Sequence, residues 1–457
     1  MPLAARGAGK SLSLAMYKGL IHPYSMLFWW SVGAALFSCD LPSRADDANL
    51  AQEVRELRAQ NAALQKQLQK QGSLLDALTE KVKALEAANP DQETAAADEA
   101  TPTKNGFNFG KVNLSGEGGM GFFNSGAEGF APHSEFRVDE ARLFVEAPIW
   151  NEVFFYGEAD GATRENTDLD FELNELYLDF QDVSGLWGKD NQFNLRVGRM
   201  NIPFGEEYLT RYAIDNPLIS HSVSDLWGAD PGIEFYGTLG KFCYAVAVQN
   251  GSGANGVRDF DGDKSVAGRI GFDPARWLHF SVSGMRTGDL NAQNDKLSAL
   301  WFGNGFFRSL GGTNSTTTFH ANLVEGDVTA RWSDGHVTAF GGYARYGDND
   351  TAAHNARGAF YYSVEGVQQL PHKFYAAARF SGIMADQGFP IVGNGSFNNY
   401  FRNDLSTELW RLSLGLGYRF SDRLIVKAEY SLERGKEVNG DSRTAEDFFG
   451  TEAAFRF

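Results

Sequence analysis

Two stretches near the C-terminal end carry the pattern that dominates this chain. In "LWRLSLGLGYRF" (409–420), Trp410, Leu412, Leu414, Leu416, Tyr418 and Phe420 share one face. Arg411, Ser413, Gly415, Gly417 and Arg419 share the other. In "LIVKAEYSLE" (424–433), Leu424, Val426, Ala428, Tyr430 and Leu432 oppose Lys427, Glu429, Ser431 and Glu433. A period of two marks a β-strand, because successive side chains point to opposite faces. Only Ser421, Asp422 and Arg423 separate the runs, which predicts a tight hairpin.

About sixteen such runs follow one another from Phe107 to the C-terminus, with no helical period between them. They are roughly 9–12 residues long, the length a tilted strand needs to cross a bilayer. Their connections alternate. Short ones fall at 148–152, 183–191, 240–241, 274–277, 333–336, 371–373 and 421–423. Long ones fall at 123–133, 161–169, 202–231, 250–264, 286–316, 347–357, 382–406 and 434–447. Short turns at one end, long loops at the other and an even strand number describe an outer-membrane barrel. The expected fold is therefore all-β: a transmembrane antiparallel β-barrel of sixteen strands over 107–457. Fourteen or eighteen strands are the alternative counts, and a secreted β-sandwich or propeller is the alternative architecture. A sheet in lipid can have no open edge. The last strand must then pair with the first, near 110–123. In "DFFGTEAAFRF" (447–457), Phe449, Thr451, Ala453, Phe455 and Phe457 would face lipid, and Glu452, Ala454 and Arg456 would face water. Phe457 sits where an interfacial aromatic belongs.

Upstream the period changes. Leu50, Val54, Leu57, Asn61, Leu64, Leu68, Gln71, Leu75, Leu78, Val82 and Leu85 alternate in steps of four and three. That is a heptad seam, and 46–88 is expected to be an α-helical coiled-coil stalk, a rod of roughly 50–60 Å. The seam implies self-association. Asn61 and Gln71 would fix register, and two or three chains both fit. A single solvated helix is the competing reading. Residues 89–106, rich in Ala, Thr, Pro and acid, read as a flexible linker.

The first 45 residues carry Arg6, Lys10 and Lys18, then the apolar "YSMLFWWSVGAALFS" (24–38), then "SRA" (43–45). This is the order of a signal peptide, with cleavage after Ala45. A lipidated Cys39 and a plain membrane anchor are the alternatives. Composition then sharpens the picture. The 457 residues carry a net charge of −17, with 36 Phe, 16 Tyr and 51 Gly. The acidic balance argues against nucleic acid as a partner. Cys39 and Cys243 are the only cysteines, too few for a disulfide framework or a zinc site.

The segment "RVGRMNIPFGEEYLTR" (196–211) resembles the phosphate-selective porin O and P family, in which a strand ends in a Gly-Lys/Arg-x-x-x-Pro-Phe-Gly-x-Glu pattern. Gly198, Arg199, Pro203, Phe204, Gly205 and Glu207 match it. "DPGIEFYG" (230–237) resembles the return strand, with Asp230, Gly232 and Gly237. "FRVDEARLFVEAPI" (136–149) and "NELYLDF" (174–180) resemble the second and fourth strands. The resemblance implies a trimeric sixteen-stranded porin whose third loop, 202–231, folds inward and narrows the pore. It also implies that Phe457 is the signal read by the barrel-assembly machinery. The family often has an Arg where this chain has Ala229. The third-loop charges are Glu206, Glu207, Asp215, Asp225 and Asp230 against Arg211 and His221. Phosphate selectivity, which needs a dense basic ladder, is not carried over.

Strand parity points Arg142, Arg196, Arg379, Arg411, Arg419 and Lys427 inward, with Glu158, Glu175 and Glu429. With Arg199 and the third-loop charges these are the candidate pore and constriction residues, bases facing acids across an eyelet. "DFDGDKS" (259–265) places Asp259, Asp261 and Asp263 at calcium-ligand spacing. Its Gly falls one place early and no Glu closes it, so a solvated loop is the expected reading. The chain carries no Gly-x-Ser-x-Gly or His-Glu-x-x-His motif. The expectation is a non-enzymatic outer-membrane porin without a cofactor. It would pass small hydrophilic solutes with a slight cation preference, the stalk lying in the periplasm. The alternative is an envelope-structural protein that tethers the outer membrane to the cell wall through the stalk.

Overall fold

The computed structural model describes residues 112–162, 171–251, 259, 262–291, 316–350, 352, 354–400 and 404–457. The expected signal segment, Cys39, the stalk, the linker and Asp261 lie outside the described residues.

The strands run in chain order as β1 (Asn113–Ser125), β2 (Glu135–Trp150), β3 (Val153–Ala162), β4 (Glu172–Phe180), β5 (Asn194–Asn201) and β6 (Ala229–Leu239). Then come β7 (Phe242–Gln249), β8 (Ser265–Ala275), β9 (Leu278–Asn291), β10 (Thr318–Trp332), β11 (Gly335–Tyr346) and β12 (Arg357–Gln369). The last are β13 (Phe374–Phe389), β14 (Ser406–Ser421), β15 (Leu424–Glu437), β16 (Ser442–Arg443) and β17 (Phe448–Arg456). The two-residue β16 only extends the β15 hairpin, pairing with Gly435 and Lys436. The other sixteen form one closed antiparallel barrel, each bonded to its sequence neighbours, with β17 paired to both β15 and β1. All seven short turns lie where the alternation placed them. The third loop is shorter than its expected 202–231, because β6 already begins at Ala229.

The wall is inside out relative to a soluble protein. On β14, Leu412, Leu414 and Leu416 are exposed on the outer face, while Arg411 and Ser413 are 4% and 1% exposed inside. On β15, Val426 and Tyr430 lie outside and Lys427 and Glu429 inside. Trp150, Trp187, Trp277, Trp332, Phe374 and Phe420 are exposed beside the short turns. An apolar outer band edged by aromatics fits a hydrocarbon layer and its interface.

Closure rests on a nine-residue register, from Glu117 opposite Arg456 to Ser125 opposite Phe448. The chain ends in two further backbone bonds. Phe457 N–H donates to the Gly116 carbonyl at 2.9 Å, and Gly116 N–H donates to the Phe457 carbonyl at 3.2 Å. Removing Phe457 deletes both bonds and the terminal aromatic. The fraction of chain reaching the heat-modifiable barrel band on a gel should therefore fall; a wild-type fraction would show the residue to be incidental.

Candidate functional site

The connection from β5 to β6, residues 202–228, turns into the barrel instead of outward. Phe204 is buried in an apolar cluster with Leu323, Tyr361 and Ile383 of the wall. Gly205 bends the chain with φ of +67°, a conformation that strains any residue with a Cβ. A Cβ there would also lie 2.3 Å from Glu325 Oε1. The Gly205 N–H donates to Ser283 Oγ at 3.0 Å, and its carbonyl accepts from Arg269 Nη1 at 2.5 Å. Phe204 thus packs the loop against the wall and Gly205 redirects the chain, which is the physical content of the Pro-Phe-Gly block.

The far part of the loop is bound to the opposite wall by charged side chains. Lys427 Nζ donates to the carbonyls of Ala213 at 2.6 Å, Leu218 at 2.7 Å and Asn216 at 3.1 Å. It also pairs with Glu452 at 3.0 Å, and both side chains are almost wholly buried. Glu429 accepts the N–H groups of Ile219 and Ser220 at 2.6 and 2.7 Å and the Ser220 hydroxyl at 2.5 Å. Arg379 donates to the Ser220 carbonyl at 2.6 Å and Asn216 Oδ1 at 3.0 Å, and pairs with Glu365. Arg411 donates to the His221 carbonyl at 2.9 Å and pairs with Glu433. Towards β2 and β3, the Ala213 N–H donates to Glu140 at 2.9 Å and the Tyr212 hydroxyl to Glu158 at 3.1 Å. The Arg142 guanidinium lies 4.3 Å over the Tyr212 ring. Gly415 leaves room for this docking, since a Cβ there would stand 2.4 Å from Leu218 Cδ2. Charge-assisted bonds of this kind are roughly twice as strong as neutral ones.

The loop is also braced internally. Arg211 pairs with Asp225 at 3.1 Å and stacks 4.0 Å over the Trp227 ring. His221 Nδ1 is 3.2 Å from the same carboxylate. Burial alone would raise the Asp225 carboxyl, but the Arg211 and His221 charges hold it well below the usual carboxylate range. Glu207 accepts the Ser222 N–H and hydroxyl at 2.8 and 2.6 Å. Burial, then the nearby Asp225 charge, pushes its carboxyl upward.

The remaining sequence candidates fall as follows. Glu206 pairs with His279 at 2.8 Å, and Asp215 with Arg456 at 2.6 Å, the latter pair both partly exposed. Asp230 is fully buried at the loop root and accepts the Gly251 N–H at 2.6 Å. Gly198 and Gly232 face each other across β5 and β6. Arg196 is inward, between the rings of Tyr177 and Tyr236. Arg199 pairs across the sheet with Leu176 and Pro231. It therefore shares the outer face with exposed Leu176 rather than facing the pore. Asp259 is paired with Lys264, and Asp263 accepts the N–H groups of Lys264 and Asp289. Among the described residues no cluster of three metal-ligating side chains forms.

Of the bases that parity aims at the lumen, Arg379, Arg411 and Lys427 donate to the loop and Arg142 stacks on its Tyr212, whereas Arg196 pairs with Glu234 and Asp179 of the wall. Arg142, Arg379, Arg411 and Lys427 are each at least nine-tenths buried. Sequence reading missed Glu140, Glu365, Glu433 and Tyr212 as their partners. It also passed over Arg269, although the alternation of Val266, Gly268 and Ile270 with Ala267, Arg269 and Gly271 carries that signal.

Lys427→Ala would leave three loop carbonyls and Glu452 without their ammonium. Breaking a buried charged pair costs about 3–5 kcal/mol. The variant should unfold at lower denaturant in detergent and become trypsin-sensitive at Arg211 in the third loop. An intact loop after trypsin would show that Lys427 does not hold it.

Neither a protein-family model nor a curated protein matches this chain. Solved structures do. Outer-membrane-expressed OmpT of Vibrio cholerae aligns with a TM-score of 0.50 at 12% identity, covering 76% of this chain and 97% of that one. The anion-selective porin from Comamonas acidovorans aligns with a TM-score of 0.50 at 10% identity, covering 76% and 98%. The likeness is one of fold: this chain is a closed sixteen-stranded barrel similar to theirs.

Proposed function

We propose that this protein is an outer-membrane porin, a non-enzymatic channel for passive diffusion of small hydrophilic solutes or ions. The third loop is its constriction. The observation that carries this reading is the placement of that loop. Some twenty-seven residues of chain (202–228) lie inside the barrel, on partners drawn from β2, β3, β8, β9 and β13 to β15. A loop that merely joined two strands would have stayed in solvent. One held inside a barrel sets the diameter and charge of whatever path remains, which are the determinants of porin selectivity.

The finer reading follows the sequence. The Pro-Phe-Gly block supports kinship with the phosphate-selective porin O and P family. Phosphate selectivity does not follow, because Arg379, Arg411 and Lys427 of the wall are engaged by loop carbonyls and by carboxylates. The heptad seam at 46–88 supports self-association through a stalk in the periplasm, the family resemblance supports a trimer, and Phe457 supports recognition by the barrel-assembly machinery.

Purified full-length protein added to a planar bilayer should give stepwise conductance, with steps in multiples of three for a trimer. A folded barrel that stays silent would overturn the channel reading.

A further inference from the structure

A second external connection, between β13 and β14, also turns into the barrel. The Asn394 N–H donates to Glu433 Oε1 and its side-chain amide donates to Ser431 Oγ, both at 2.8 Å. Asn394 is 3% exposed. Ser431 and Glu433 are buried inner-face residues of β15, and they follow Lys427 and Glu429, which hold the third loop. Four successive inward positions of one strand therefore hold two loops. The pairs are four residues apart, roughly 13 Å along the strand, with Asn394 nearer the external end. Gly393 permits the dip: its φ is +62°, and a Cβ there would lie 2.4 Å from Glu433 Oε1 and 2.6 Å from Leu409 Cδ2. Arg443 of β16, wholly buried, clamps the segment from the next loop. It donates to the carbonyls of Ile391 at 2.6 Å and Val392 at 2.8 Å, pairs with Glu446 and lies 3.5 Å over the Tyr400 ring. At the other edge the Phe130 N–H donates to the Asn394 carbonyl, and the Ser396 N–H to the Glu128 carbonyl, both at 2.9 Å.

We propose that residues 390–399 form a second constriction, in series with the third loop on its external side, which selects solutes by size and leaves charge selection to the third loop. Arg443 is its positioning residue. Two observations separate the functions. Residues 390–399, "PIVGNGSFNN", contain no acidic or basic side chain, whereas the third loop carries Glu206, Glu207, Asp215, Asp225, Arg211 and His221. The two segments are also stacked rather than merged. Ile391 shares a buried cluster with Val223 and Leu226 of the third loop, but a cavity of about 310 Å³ opens between Ser222 and Val223 on one side and Gly393, Asn394 and Ser396 on the other. An uncharged segment fixed inside a barrel limits the diameter of the path without adding to its field. A size filter matters only in a conducting barrel, so the proposal rests on the porin reading.

Two variants of the full-length protein test this in planar bilayers, with folding checked by gel mobility. Arg443→Gln removes the charged clamp. Gly393→Val forces a branched side chain against Glu433 and Leu409 at a positive φ while removing no charge, and it carries the test should Arg443→Gln not fold. Both should free the segment while Lys427 and Glu429 keep the third loop. Two comparable resistances in series fall to half when one is removed, so single-channel conductance should rise by about twofold. Polyethylene glycols too large to enter the wild-type channel should enter the variants. The reversal potential in a salt gradient should keep its wild-type value. A general loosening of the barrel would not give that result, because it would move the third-loop charges as well. Wild-type conductance and polymer cut-off in the folded variants would overturn the second constriction. A wider cut-off accompanied by a shifted reversal potential would overturn the division between size and charge. Unchanged variants of a conducting wild type remove this proposal alone; a folded wild-type barrel that never conducts removes the porin reading.

Discussion

No peptide N–H or carbonyl can be left without a partner where water does not reach. This constraint governs both parts of the molecule. In the wall it forces the ends of the chain together, so that β17 is bonded to β1 and the last residue is tied to Gly116. In the lumen it acts on the third loop, which has no strand to pair with. Its carbonyls are met by Lys427, Arg379 and Arg411, and its N–H groups by Glu429 and Glu140. The charged inner face is the loop's substitute for a sheet neighbour.

That role changes how the inner charges are read. A base on a wet barrel wall attracts anions through an aqueous gap. A base that donates to three carbonyls at hydrogen-bond distance is spent on position. Lys427 and Glu452 face each other in register across β15 and β17, and each neutralises the other while the ammonium binds the loop. The field inside the barrel then comes from charges that stay partly exposed, such as Arg196, Asp215 and Arg456. Total lumen charge is a poor guide to selectivity in such a barrel.

The fold was legible because a two-residue period with an apolar outer face has few solutions. Trp410 to Phe420 and Leu424 to Leu432 gave the hairpin, and the alternation of turn lengths gave sixteen strands. Parity also placed Arg411 and Lys427 on the inner face. It could not tell what they touch in the loop, because those partners are backbone atoms 190 or more residues away. Arg199 shows a different limit. Gly198 before it has φ of +143°, and Arg199 keeps the outward parity of Val197 despite standing in the family motif. The motif marks the loop's entry; the residues that hold the loop are scattered over other strands and have no local pattern.

The central claim is that the third loop is a constriction fixed to the wall. Ser220 Oγ of the loop and Ser413 Oγ of β14 are 3.2 Å apart, close enough to replace both with cysteine in a Cys243→Ser background. Single-channel conductance of that variant, recorded before and after oxidation, tests the claim directly. The account predicts the same conductance in both states, because the bond would join groups already in contact. A conductance that collapses on oxidation and returns on reduction would contradict it, showing that the open channel needs the loop away from the wall.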